Sequence, residues 1–313
     1  MTYSSGGLIQ GSDYNNFVGA SAANVSGQLN TVLGTGRGDA GYGQTTVTNV
    51  TAVTDTITAT QWTTLVNGVD KVRKHQSAAG YSNLATYTAG QTINATNNIS
   101  GALTTGYSSR LTYAAQGSTT TGATFSPVFS IANQTAAATF SFSRTVTFAS
   151  ADQARYFFNA GGQINFVITG VTNTGATTRG ASLATLAATN FASKKMGGNE
   201  FVARTGTGGT LNLDGTTNTG YYSGTTSNVA KTTITGTTTA YTSDTLNFYM
   251  KTNGAQGSNA DAGTVVTLSM DLTSAAQSPA FNDSINITVN HRVDIIYPST
   301  TFLTNSWGTV TIG

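Results

Sequence analysis

Hydrophobic positions in this chain change period along its length. Tyr14, Phe17, Val18, Ala22, Val25, Leu29 and Val32 recur three or four apart, which predicts one amphipathic helix starting at a Ser12 N-cap. It is predicted to stop at Gly34-Thr35-Gly36-Arg37-Gly38, where glycine can take the positive φ of a helix exit. Gln44 to Val53, rich in Thr and Val, predicts a strand, with a turn beginning at Asp55. Thr58 and Gln61 then have capping-box spacing, and Trp62, Leu65, Val66, Val69 and Val72 form one stripe of a second helix. Its last turns carry Lys71, Arg73, Lys74 and His75, cations that suit the negative end of a helix dipole.

Past Gly80 the apolar positions become sparse as far as about Thr121, and Thr, Ser, Asn and Gly dominate, which predicts a linker with short strands. From Pro127 the period becomes two. Strands are predicted over 139–148, 163–169, 200–204, 232–239, 245–251, 264–272, 284–296 and 307–312, with short helices near 151–159 and 182–193. The expected fold is mainly β. A small α+β N-terminal module with two helices (1–80) serves anchoring or assembly, followed by the linker (81–125) and a β-sandwich-like region with two short helices (126–313).

Composition narrows the function. With 38% hydrophobic residues in 313, the chain can bury a sizeable core, yet only 8% of residues are charged. A surface so poor in charge suits a protein packed against partners. Fourteen Lys and Arg against 12 Asp and Glu leave a net charge of +2, spread along the chain without an interleaved run of cations and aromatics, so no nucleic-acid partner is expected. No apolar run is long enough to span a bilayer, so no membrane insertion is expected. The absence of Cys excludes disulfides and thiolate metal sites, and the start lacks the pattern of a signal peptide.

Candidate chemistry is thin. Gly36, Gly38 and Gly41 fit G-x-G-x-x-G, but a helix precedes them where a dinucleotide fold needs a strand. Arg37-Gly38-Asp39 spells the integrin-ligand tripeptide, and Asn-x-Ser/Thr occurs at Asn24, Asn94, Asn98 and Asn286; both follow from composition. The two histidines, His75 and His291, lie in no metal-ligand or triad pattern, and alternation sets His291 and Val293 on one strand face, with Arg292 and Asp294 paired on the other. A glycosidase would have to recruit acids such as Asp214, Asp244, Asp261 or Asp271 from distant positions. No enzyme activity, catalytic residue, cofactor or metal is therefore expected. Tyr221 and Tyr222, between Gly220 and Ser223, are the candidate glycan-stacking platform.

Three segments carry a resemblance. The first runs from Leu8-Ile9-Gln10-Gly11-Ser12-Asp13-Tyr14-Asn15 through Leu33-Gly34-Thr35-Gly36, Gly41-Tyr42-Gly43-Gln44, Ile57-Thr58-Ala59 with Trp62 and Leu65, to His75-Gln76. The second is Ala151-Asp152-Gln153-Ala154-Arg155-Tyr156-Phe157-Phe158-Asn159-Ala160-Gly161-Gly162, and the third is Trp307-Gly308-Thr309. In words and order these resemble virion structural proteins of tailed bacteriophages, particularly cyanophages, including tail-fibre-like proteins. The resemblance implies a structural component of the virion, assembled in the host bacterial cytoplasm. Its expected location is tail-associated, as fibre, baseplate or neck appendage, with a capsid decoration protein and a host-surface glycan-binding receptor module as alternatives. Expected partners are other copies of the chain, as trimer or hexamer, other virion proteins, and host-surface glycan. Tyr14, Phe17, Leu29, Trp62 and Leu65 are the candidate assembly or core contacts.

Overall fold

Alternation of period two builds the sheets. In β7 (Thr245–Thr252) and β8 (Val265–Ser274) every second residue is buried, so Leu246, Phe248, Met250, Val266, Leu268, Met270 and Leu272 face inward. Their neighbours, mostly Thr, Ser and Asn, face outward. The computed structural model describes residues 9–51, 57–77, 87–91, 99–111, 116–132, 135–198, 220–224, 226–227, 229–254, 262–281 and 283–313.

Two antiparallel sheets make the protein mostly β. In the first, β1 (Gln116–Thr121) and β2 (Val128–Ile131) pair with one side of β9 (Ile285–Pro298), and β4 (Gln163–Asn173) lies on its other side, followed by β5 (Ser193–Met196). The second has the order β10-β3-β8-β7-β6, with β3 spanning Ala138–Thr147, β6 Val229–Thr235 and β10 Thr311–Ile312. Rings join the inner faces. Phe129 of β2 stacks on Phe140 of β3 at 5.2 Å, and Phe142 of β3 meets His291 of β9 at 4.3 Å. Phe166 of β4 meets Phe248 of β7 at 5.3 Å.

The N-terminal apolar stripe is two helices rather than one. Here α1 (Gly11–Val18) is preceded by Gln10, whose amide donates to Asp13 Oδ2 at 3.2 Å, and it ends at Gly19, with φ +71°. A loop follows before α2 (Leu29–Leu33), leaving Val25 exposed. Apolar spacing counts residues but not the backbone angle that Gly19 permits, so the periodicity ran across the break.

The predicted strand from Gln44 is an extended segment as far as Thr51, with no ladder of its own; 52–56 lie outside the described residues. Side-chain amides replace a partner strand. Asn30 accepts from Val47 N at 2.9 Å and donates to Val47 O at 2.8 Å, and Asn15 does the same at Val50 at 2.8 and 2.9 Å. Each pair satisfies one backbone donor and one acceptor, as a neighbouring strand would.

The second predicted helix forms as α3 (Ala59–Ser77), with the Thr58–Gln61 box closed: Thr58 N donates to Gln61 Oε1 at 2.9 Å, and Gln61 N donates to Thr58 Oγ1 at 3.2 Å. His75 departs from the dipole reading, because it is buried and its Nε2–H donates to Ala160 O at 2.9 Å. Within the stretch read as linker, Ile99–Ser108 is a helix, α4, which packs Ala102 and Leu103 beside Val69 and Val72. The helical spacing of Ile99, Ala102, Leu103 and Gly106 was present but masked by Thr, Ser and Gly. A gap of about 10 Å³ remains there. A Cβ on Gly106 would meet Val72 Cγ1 at an ordinary 3.5 Å. Gly106→Ala is therefore expected to stabilise the fold by about 0.5–1 kcal/mol, read as a raised urea midpoint.

Of the remaining predictions, α5 (Ala151–Asn159) matches its expected bounds, α6 (Thr178–Thr185) starts four residues early and continues as a π-helical turn, Leu186–Phe191, and the terminal strand shrinks to Thr311–Ile312. The strand expected over 200–204 lies outside the described residues.

Candidate functional site

The glycine loop after α2 organises a cluster of polar contacts between distant parts of the chain. It leaves α2 at Gly34 and returns to cap it: Tyr42 N donates to Val32 O at 2.8 Å, Gln44 N to Leu33 O at 2.9 Å and Gly43 N to Gly34 O at 2.8 Å. With amides turned toward α2, the loop presents carbonyl oxygens to α5. Arg155 Nη1 donates to Gly38 O and Ala40 O, both at 3.2 Å, and Nη2 donates to Thr35 O at 3.1 Å. Asn159 Nδ2 lies 3.2, 3.0 and 3.0 Å from the carbonyls of Gly38, Ala40 and Gly41. Both side chains are buried.

This is the inverse of a phosphate cradle, which turns N–H groups toward an anion. A loop whose oxygens receive a guanidinium and an amide would repel a pyrophosphate, so the G-x-G-x-x-G match is structural. Gly41 shows why glycine stands there: its φ is +93°, and a Cβ would overlap the Thr35 carbonyl. The Arg37-Gly38-Asp39 triplet is also engaged, because Arg110 Nη2 pairs with Asp39 Oδ2 at 2.8 Å and the Gly38 carbonyl belongs to the clamp.

Other elements close on the same point. Tyr42 donates its hydroxyl to Arg110 O at 3.1 Å, receives Gln76 Nε2 at 3.0 Å and packs edge-on to His75 at 5.2 Å. Gln44 holds Thr304 on both sides, Nε2 to O at 2.9 Å and Oε1 from N at 2.8 Å, and Ser306 Oγ donates to Tyr42 O at 2.6 Å. Trp307, next along, is buried.

The tyrosines expected to stack on sugar belong to this knot. Tyr221 is buried, lies face to face with Phe158 at 4.4 Å and donates to Gly263 O at 3.0 Å. Tyr222 is half-buried, donates to Asn159 Oδ1 and lies 3.2 Å from Gly38 O. Neither is free as a stacking platform; a pair of tyrosines beside Gly gave no sequence signal of where the rings point. A surface groove of about 320 Å³ lined by Ser118, Thr120, Thr300 and Asn305 is uncharged, but its Trp307 is buried and its Tyr297 hydroxyl accepts from Val310 N.

Tyr14, Phe17, Leu29, Trp62 and Leu65 are all buried in the chain's own core, Phe17 edge-on to Trp62 at 6.3 Å. Of the two roles expected for them, core contact is the one the structure gives. His75 and His291 are buried, and Arg292 Nε pairs with Asp294 Oδ1 at 2.8 Å on the strand face opposite His291. Asp244 is buried, accepts from Ala275 N at 2.8 Å, and has its carboxyl held above the usual range by burial. Asp214 and Asp261 lie outside the described residues. Among the described residues no group of three or more His, Cys, Asp or Glu could hold a metal, and no helix is long and apolar enough to cross a membrane.

No protein-family model matches the chain, and neither a curated protein nor a solved structure matches it significantly.

Proposed function

We propose that this chain is a structural component of a tailed-phage virion, tail-associated as a fibre, baseplate or neck appendage, acting by self-assembly and docking to other virion proteins rather than by catalysis. One observation carries the reading. Far apart in sequence, four of the stretches that resemble phage structural proteins meet at one place: the loop at 33–44, His75-Gln76, Ala151–Gly162 and the run into Trp307 are joined around Tyr42 and Arg155. That these stretches form one structural unit supports reading them together. The outward faces of β7 and β8, mostly Thr, Ser and Asn, add support, being suited to lateral packing. With this reading goes a sandwich-like arrangement of the two sheets, supported by the ring contacts between their inner faces.

Immunogold electron microscopy of purified particles, using an antibody to this chain, tests the proposal. Label on tail, neck or fibres is the expected result. Label over the head, with a high copy number, would replace it with capsid decoration, and intact particles without label would overturn the virion assignment.

A further inference from the structure

The edges of the two sheets are not equally guarded. β1 is interrupted by a register shift between Gln116 and Thr119, and β6 by one between Ala230 and Thr232. β5 and β2 are four residues each, and β5 carries Lys194 and Lys195. Shortness, bulges, lysines and inward-pointing charges are among the devices that keep sheet edges from pairing with other chains. β3 is long, unbulged and without lysine, and its one such device is Arg144, next to the end that β10 covers. It pairs with β8 for ten residues without a break, and it contains no Pro, Gly or Lys.

On the other side of β3, β10 covers only one end, at Val146 and Thr147, with Gly313 bonded both ways to Thr145 at 2.9 and 3.1 Å. Among the described residues nothing pairs with Ala138 to Arg144 on that side. Thr139, Ser141 and Ser143 point outward, exposed and neutral. The one charge, Arg144, is turned inward, its guanidinium 3.1 Å from the centre of the Phe125 ring.

The inner face of this edge is also incomplete. Phe140 and Phe142 are only half-buried, whereas their β8 partners Leu272 and Met270 are fully buried. Rings that belong to the core by direction keep one flank open at the edge.

We propose that a second copy of this chain adds its own β3 here, antiparallel, about a two-fold axis through Ser141. The inference rests on the self-assembly reading above and names its surface. In this register Phe140 of each copy faces Phe142 of the other, Thr139 faces Ser143, and Ala138 faces Arg144. No like charges meet, and each open ring gains a ring beside it. The backbone donors and acceptors that Thr139, Ser141 and Ser143 turn to this side, unpaired among the described residues, find partners, as in strand addition generally. A two-fold contact builds dimers, and from trimers hexamers.

The absence of native Cys makes the test direct. Directly opposed residues of an antiparallel pair have Cα atoms about 4.5–5.5 Å apart, within disulfide reach. Purified full-length Ser141→Cys, mildly oxidised, is expected to form a disulfide-linked dimer at least about tenfold more than Thr64→Cys, an exposed position on α3. Ser141→Lys sets two cations against each other at the axis and is expected to weaken the dimer at least about tenfold in light scattering, with an unchanged melting curve. A wild-type chain that stays monomeric at high concentration, or equal crosslinking of the two Cys variants, would overturn the proposal. Either result leaves the location in the particle to be read independently by gold label.

Discussion

Arg155→Met is expected to cost about 3 kcal/mol of stability, although its carboxylate partner Asp152 is exposed. The guanidinium serves three carbonyls of the glycine loop, and the Thr35 oxygen receives only Arg155 among the clamp donors. Removing it leaves the Thr35 oxygen without that donor, takes a donor from the Gly38 and Ala40 carbonyls and loses three charge-assisted bonds at once. Arg155→Lys should lose most of the same amount, because an ammonium on a flexible stem cannot reproduce the fork. Asn159→Ala should cost about 2 kcal/mol, and the double variant less than the sum, because Gly38 O and Ala40 O are shared between the two donors. Gly41→Ala attacks the loop without touching charge and should be as harmful as Arg155→Met, through its positive φ and the Thr35 carbonyl. Urea midpoints for the five variants check this. Arg155→Met within about 0.5 kcal/mol of wild type would mean that the clamp does not hold the N-terminal helices to the sheets.

How much of this was legible depended on whether the cause was local. β7 and β8 alternate strictly, β9 alternates as far as Val293, and α3 carries its own cap, so period and capping found them. α5 was bounded correctly because Ser150, which accepts from Gln153 N at 3.1 Å, opens it and Gly161-Gly162 follow it. What failed was set by distant partners. Nothing near Val47 or Val50 in sequence announces that Asn30 and Asn15 will stand in for a strand. Tyr221 and Tyr222 looked like loop aromatics because the residues that cover them, Phe158 and Asn159, lie some sixty positions away. The clamp did leave a trace: Arg155 and Asn159 are four apart on one helical stripe, a polar pair in a helix whose neighbours Ala154, Phe157 and Phe158 are buried. Read with the glycine loop, that pair was the available signal.

His291 is expected to make the protein lose stability as pH falls from neutrality toward about 4.5. Its ring is fully buried between the sheets, 4.3 Å from Phe142, 5.6 Å from Phe166 and 6.2 Å from Phe125. Nδ1–H donates to Val289 O at 3.3 Å, and Nε2 faces the rings without a partner. A second proton would have no acceptor there. Burial, reinforced by the Arg144 cation and only partly offset by the Val289 carbonyl, pushes the imidazole down to about 4 from 6.5. The charged groups around it offer no relief, since Arg144 is the only one facing it from β3, and Arg292 and Asp294 pair on the opposite face of β9. Because the folded value is depressed, the unfolded chain binds the extra proton first. The contribution is complete above about pH 6.5 and drains away as pH falls through the folded value, about 2 kcal/mol of it between about pH 7 and about pH 4.5. Asp244, raised by burial, has the opposite sign, because below its folded value the native state is the one that holds the proton. Comparison with His291→Leu therefore isolates the histidine: urea midpoints of that variant should be nearly flat over the window in which wild type declines. Arg144→Met should fall between them, since removing the neighbouring cation lets the imidazole accept its proton at higher pH. Equal declines in wild type and His291→Leu would place the acid sensitivity elsewhere, and parallel curves for all three would remove the ring cage from the account of how the two sheets hold together.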